Sequence, residues 1–255
     1  MPSLISRCAS LAFLAILGVA ATVHGDSKAE RIMAELGVHG GLCVQIGAED
    51  VDGAGELAAS GRYLIQVLDA DERIVDGARQ TLHATGCYGL VSVDRLPGQG
   101  TLPYTENLVN LVFVTAQPSA TVSLEEVRRV LCPNGVLVIG ADKATREQLA
   151  AAGFTDLKQK GDQAEWWVAR KPRPEAMDEW THPRHASDGN PASNDALVAP
   201  PRRVRWIAGA ESEVRGMVTA AGRNFYAGVL ARDSFNGLRL WHRDIVAPGS
   251  GDFVM

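Results

Sequence analysis

Residues 123–140 read SLEEVRRVLCPNGVLVIG. Ser123 is placed to accept the backbone N–H of Glu126, and Glu126 to answer it, so the spacing predicts a helix over residues 124–131 that opens on a capping box. Pro133-Asn134-Gly135 then forms a turn, and Val136 to Ile139 is a short run with no polar face. A strand with no polar face must be covered on both sides, as in a parallel sheet flanked by helices.

The same alternation extends in both directions. Apolar runs occur at residues 42–46, 63–68, 90–93 and 108–114, and helix-like stretches lie near 53–60, 72–83 and 146–152. Thr145 with Gln148 is a second capping box, and Gly153 stands where a helix C-terminal glycine belongs. The expected fold class is therefore α/β with a mostly parallel sheet. Gly47 follows the first strand and Asp69 ends the second, at about the 20-residue spacing of a nucleotide site. That spacing suits either a dinucleotide or S-adenosylmethionine and leaves both open. Asp69 also reads as the N-cap of the helix beginning near Glu72.

The later segments narrow the choice. LPYTENLVNLVFV at 102–114, the stretch quoted first, and LAAAGFTDLKQ at 149–159 running on to EWWVARKP at 165–172 resemble, in that order, the back half of class I S-adenosylmethionine-dependent methyltransferases. Leu131-Cys132-Pro133-Asn134-Gly135 stands at the family's turn before strand five, and Ala152-Gly153-Phe154 at the turn before its final antiparallel hairpin. The resemblance implies a Rossmann-like methyltransferase fold, S-adenosylmethionine as cofactor, and Gly47, Glu49 and Asp69 as its surviving contacts.

In VQIGAEDVDG, residues 44–53, Gln45 stands in place of the family's strand-one acid. Glu49 and Val51 replace the second and third loop glycines, where the backbone must approach the cofactor closely. Asn110 replaces the Asp at the start of strand four, and Gly98-Gln99-Gly100 offers no acid for the adenine. No Asn-Pro-Pro-Tyr-like acceptor loop follows strand four, and residues 115–121 are too few for a substrate lid. The expected role is binding or scaffolding by a degenerate domain, with an active methyltransferase as the alternative.

Residues 1–25 begin with one basic residue, run mostly apolar from Cys8 to Ala21 and close on small residues before Asp26, the pattern of a cleaved signal peptide. The expected location is periplasmic or extracellular, with no stable membrane span after cleavage; that compartment has no obvious supply of a cytosolic, ATP-derived cofactor. A net charge of -5 speaks against a nucleic-acid partner. Cys43, Cys87 and Cys132 lack paired spacing and read as free thiols, without a zinc or haem motif.

Pro172 and Pro174 end the α/β pattern, and residues 172–203 read as an irregular linker. His182, His185, Asp188 and Asp195 could supply metal ligands there, but Pro183 prevents a helical presentation of the two histidines, and no metal is expected. Residues 204–255 turn to β texture, with short runs at 204–208, 214–220, 224–227, 229–233 and 238–243 and a hairpin signal at Asn236-Gly237. LARDSFNGLRLWHRD, residues 230–244, resembles the repeat of quinoprotein-type β-propellers through Ala231, Asp233, Gly237 and Trp241. The resemblance implies a first, incomplete blade, as in exported planctomycete-type propeller proteins. It adds a third reading, a fragment of a dehydrogenase using pyrroloquinoline quinone (PQQ), although the residues that would hold PQQ are not in this chain. The expected division is signal 1–25, methyltransferase-like domain 26–171, linker 172–203 and blade 204–255. Further blades, or a partner at the open blade edge, would complete the molecule, whose aromatic residues at 206, 225, 226 and 241 need neighbours.

Overall fold

The computed structural model describes residues 28–96, 98, 100–115, 122–161, 163–200, 204–206, 217–226 and 229–243. The signal-like leader, Gln99, most of the loop after strand four and parts of the C-terminal segment lie outside the described residues.

The first element among the described residues is α1 (Lys28–Glu35), which the sequence reading did not anticipate. Ile32, Met33 and Leu36 bury its inner face. Gly37 ends it in the left-handed conformation, with Gly37 N–H on Ala34 O and Val38 N–H on Met33 O, a Schellman-type stop. There follow β1 (Gly41–Ile46), α2 (Asp52–Ala58), β2 (Tyr63–Asp69), α3 (Glu72–Ala84), β3 (Val91–Arg95), β4 (Val109–Val114), α4 (Leu124–Val130), β5 (Leu131–Gly140), α5 (Arg146–Ala151), β6 (Thr155–Lys160) and β7 (Trp166–Arg170).

The seven strands form one sheet in the order β3-β2-β1-β4-β5-β7-β6. All neighbours are parallel except β7, which runs antiparallel to both β5 and β6. This is the Rossmann-like methyltransferase fold. Period-two alternation divides the apolar runs between two cores. Cys43, Ile65, Val67, Leu111, Phe113, Val136 and Val138 pack beneath α1, α2 and α3. Leu42, Val44, Ile46, Val112, Val114, Leu137 and Ile139 pack on the opposite face beneath α4 and α5. Leu137 is fully buried, with β4 on one side and β7 on the other, and such burial contributes about 2 kcal/mol.

Local details depart from the sequence reading in two places. The turn at Pro133-Asn134-Gly135 lies inside β5, because Leu131 already pairs with Val109 and the ladder resumes at Leu111 with Val136. Asn134 takes a positive φ of 64° in that bulge. Ser123 caps α4 through Glu126 N–H, but Glu126 does not answer it; its carboxylate accepts from Leu102 N–H and pairs with Arg129 at 2.7 Å. The Thr145–Gln148 capping box is complete.

A separate four-stranded antiparallel sheet follows, made of β8 (Met217–Ala220), β9 (Arg223–Tyr226), β10 (Leu230–Asp233) and β11 (Arg239–His242) in the order β11-β10-β9-β8. This single open sheet is not a propeller. Val204, Arg205 and Trp206, expected in a strand, lie in none. Trp206 instead covers Gly237, where a Cβ would collide with its indole. Phe225 and Trp241 face each other at 6.4 Å, and Arg243 lies over the Trp241 ring at 5.1 Å.

The second sheet docks on the edge of the large sheet where the parallel strands begin. Asn110 is the hub: its Oδ1 accepts from Leu42 N–H (2.8 Å) and Asn236 Nδ2 (2.6 Å), and its Nδ2 donates to Asp233 Oδ2 (2.7 Å). Asn236 also donates to Leu108 O at 3.0 Å. Gly41 has to be glycine here, since its φ is 107° and a Cβ would overlap the Asn110 amide.

Between the sheets, the junction is ordered by Asp178. Its Oδ2 accepts from Asn194 N–H (2.7 Å), Ser193 Oγ (3.1 Å) and His185 Nε2 (2.6 Å), and its Oδ1 accepts from Glu179 N–H (2.8 Å). The Asn194 N–H above all, then Glu179 N–H, His185 and Ser193, hold this carboxyl well below the usual carboxylate range against an opposing effect of burial. A carboxyl held down in the folded state stabilises above its unfolded pKa of about 3.9, and that support is lost as pH falls through the folded value. The near-UV circular dichroism of the junction tryptophan Trp180, edge-on to His185 at 5.2 Å, should therefore persist on acidification to about pH 4. Asp178→Asn should lose that signal already at neutral pH.

Candidate functional site

In an open parallel sheet, ligands settle outside the carboxyl ends of the strands where the strand order reverses. Here that place lies between β1 and β4, because the chain builds β2 and β3 to one side of β1 and then crosses to the other. The residues at these ends are Gly47 to Val51 after β1, Asp69 at the end of β2 and Thr115 after β4.

Gly47 has a φ of 107°, a conformation only glycine adopts readily, and its N–H donates to Leu68 O at 2.8 Å. Asp69 is buried; its Oδ2 accepts from Ala48 N–H at 2.8 Å and its Oδ1 from Asp71 N–H at 2.9 Å. It does not cap α3. Asp71 takes that role, accepting from Arg73 N–H at 2.9 Å. Asp69 is the last residue of β2, so the cap falls to Asp71, which stands immediately before the helix. The structure thus brings Gly47 and Asp69 together through Ala48, and leaves Glu49 exposed at the lip.

Two further residues shape the loop and were not assigned such a role from sequence. Gln45 is buried, and its Nε2 donates to Gly47 O at 2.8 Å and Asp50 O at 2.7 Å. Two carbonyl acceptors at these distances fix which end of the amide is nitrogen. Thr115 Oγ1 donates to Ile46 O at 3.1 Å and Gly47 O at 3.3 Å. Gln45 was legible as a departure at the acid position, but its bonding was not. Val51, at the third glycine position, is buried in the core under the helices.

On β3, Asp94 accepts from Gln66 Nε2 at 2.8 Å, and Gln66 accepts from Tyr104 Oη at 2.6 Å. Burial, with Asp94 adding to it, pushes the Tyr104 phenol upward. The possible metal ligands of the junction do not converge: His185 is on Asp178, His182 on Thr181, Asp188 on Asn190 N–H, and Asp195 on Leu197 and Asp178 N–H. Among the described residues no group of three or more His, Cys, Asp or Glu could hold a metal, and no helix is long and apolar enough to cross a membrane. Cys43, Cys87 and Cys132 are free thiols, as expected; burial pushes Cys43 and Cys132 above the usual thiol range.

No protein-family model and no curated protein matches the chain. Among solved structures it is similar to a putative S-adenosyl-L-methionine-dependent methyltransferase from Methanococcus maripaludis, at 16% identity over 67% of this chain and 90% of that one, TM-score 0.48. It is similar as well to a SAM-dependent methyltransferase from Aquifex aeolicus, at 17% identity over 67% and 97%, TM-score 0.47. A third, described as a possible exported protein from Bordetella parapertussis, shares 18% identity over 57% and 66%, TM-score 0.42. At these identities the likeness concerns the fold alone.

Proposed function

We propose that the chain is an S-adenosylmethionine-dependent methyltransferase whose cofactor is held by Gly47, Glu49 and Asp69. The observation that carries this reading is the pairing of a positive-φ Gly47 with a buried Asp69 at the switch point, joined by the 2.8 Å bond from Ala48 N–H. Each Asp69 oxygen accepts one backbone N–H and keeps a lone pair for a ribose hydroxyl. Glu49 is the acidic group available to the amine or the sulfonium. When bound, this cofactor supplies an electrophilic methyl group on sulfur, and the task left to the protein is to hold donor and acceptor in line.

The test is calorimetry of the chain from Asp26 onward with S-adenosylmethionine and S-adenosylhomocysteine. A dissociation constant of about 0.1–1 mM is expected, since Glu49 and Val51 stand where close backbone approach would add affinity. Asp69→Ala should weaken binding about tenfold or more, and Asp69→Asn, which keeps one acceptor, by less. No binding at about 5 mM by a folded chain would overturn this reading.

One observation favours a second reading, an exported scaffold that has kept the fold without the cofactor: Gln45 ties the loop carbonyls Gly47 O and Asp50 O to itself where the family has an acid. In that reading the second sheet, with β8 and β11 as its edges, takes the partner. The blade resemblance and the signal-like leader support export within a larger assembly.

A further inference from the structure

A cavity of about 260 Å³ opens between the two sheets, at the opposite strand ends from Gly47 and Asp69. His39, in the turn before β1, Arg170, at the end of β7, and Arg223, at the start of β9, line it together with Asn110, Asp233 and Phe235. From these walls we infer that the cavity binds a small polyanion, a di- or tricarboxylate or a phosphate, between His39 and Arg223.

Three observations lead there. Among the described residues, neither the His39 ring nor the Arg223 guanidinium donates a hydrogen bond or makes a close ion pair, so both keep their donors for a ligand, although the Arg223 charge also acts on the Asp233 carboxyl to lower its pKa. Arg170 is held in place by its bonds to Asn134 O (2.7 Å) and Leu36 O (2.9 Å), with its Nε 3.8 Å from the Asp156 carboxylate, which makes it a fixed third cation whose charge is shared with that acid. The acid on the wall is already engaged: Asp233 Oδ1 accepts from Phe235 and Asn236 N–H, and its Oδ2 accepts from Asn110. Among the lining residues Arg170 and Arg223 face the one carboxylate of Asp233, and Asp156, outside the lining, offsets part of the Arg170 charge; His39 adds a further positive charge when protonated. The volume lies below the roughly 300–1,000 Å³ of pockets that take drug-sized ligands, so the occupant is of phosphate or citrate size and not a nucleotide.

The charge state of His39 reports on occupancy. Burial, then Arg223, then Arg62 lower its pKa from the ordinary value, while Arg170 and Asp233 stand on the other cavity walls. An anion between the cations reverses that balance and raises the His39 pKa. Binding therefore strengthens as pH falls through the raised value and weakens above it.

The experiment is NMR on the chain from Asp26 onward, following the His39 ring, assigned through His39→Gln, during titration with inorganic phosphate and separately with citrate at constant ionic strength in chloride. The expected result is a saturable shift at about 0.1–1 mM of at least one anion, with a higher His39 pKa at saturation. Arg223→Gln should weaken it tenfold or more without altering the unfolding midpoint of the ligand-free protein. A response to phosphate alone assigns a phosphate ligand, to citrate alone a polycarboxylate, and to both a general polyanion site. No saturable shift with either anion, or a shift that survives unchanged in Arg223→Gln, overturns the inference.

Discussion

Asn110→Asp should destabilise the protein by about 3–5 kcal/mol at neutral pH, the range for leaving a buried charge uncompensated. The methyltransferases that the sequence resembles carry an acid at this position, and the reason this chain does not lies in the second sheet. Asn110 Nδ2 donates to Asp233 Oδ2 at 2.7 Å, while Oδ1 accepts from Leu42 N–H and Asn236. An aspartate would keep the second set of bonds and place a carboxylate oxygen against the Asp233 carboxylate. Burial already pushes the Asp233 carboxyl above its ordinary value, so a second charge would raise the affinity of the pair for a proton further. The folded variant then binds more protons than the unfolded chain. Its deficit relative to wild type should shrink as pH falls through the raised folded pKa and grow as pH rises. Urea denaturation from neutral to acid pH measures both effects. A variant within about 0.5 kcal/mol of wild type at neutral pH would mean that the two sheets are not coupled through this contact.

What could be seen in the sequence, and what could not, follows the range of the interactions. Strands β1, β4 and β5 were legible because a strand buried on both faces is a mostly apolar run, broken in β1 only by Gln45, in β4 only by Asn110 and in β5 by the turn at Pro133-Asn134-Gly135. The Thr145–Gln148 capping box, Gly153 and the Asn236-Gly237 hairpin were legible because their partners lie within a few residues. Helix α1 escaped notice because it is short and adjoins the apolar leader. Glu126 was assigned to its own helix terminus, but Arg129 and the distant Leu102 N–H claim it. The docking of the second sheet could not be read at all: the bonds from Asn110 to Asp233 and Asn236 join residues more than a hundred positions apart. For the candidate site, the positions of Gly47 and Asp69 came from spacing, and the loop bonding that decides what they can still bind did not.

Placing on the first strand the acid that the resembled methyltransferases carry, Gln45→Glu, should likewise weaken the fold, by about 2–4 kcal/mol. Gln45 is buried, and both of its amide hydrogens are used, on Gly47 O at 2.8 Å and Asp50 O at 2.7 Å. An ionised glutamate has no hydrogen to give and would set a negative charge against two carbonyl oxygens. A protonated one could satisfy one of them, so the carboxyl is driven to keep its proton. Its folded pKa lies above the ordinary 4.3, and the stability deficit grows as pH rises through that value. The variant has two ways to respond, and they separate the functional readings. If the loop swings away so that the carboxylate reaches backbone N–H groups, S-adenosylmethionine affinity should rise even as the unfolding midpoint falls, and the loop of the present chain is then a closed form of a working site. If stability falls with no gain in affinity, Gln45 serves only to hold the loop shut, and the scaffold reading gains. Calorimetry and thermal unfolding on the same variant distinguish the two; an unfolding midpoint equal to that of wild type at neutral pH would refute the hydrogen-bond assignment itself.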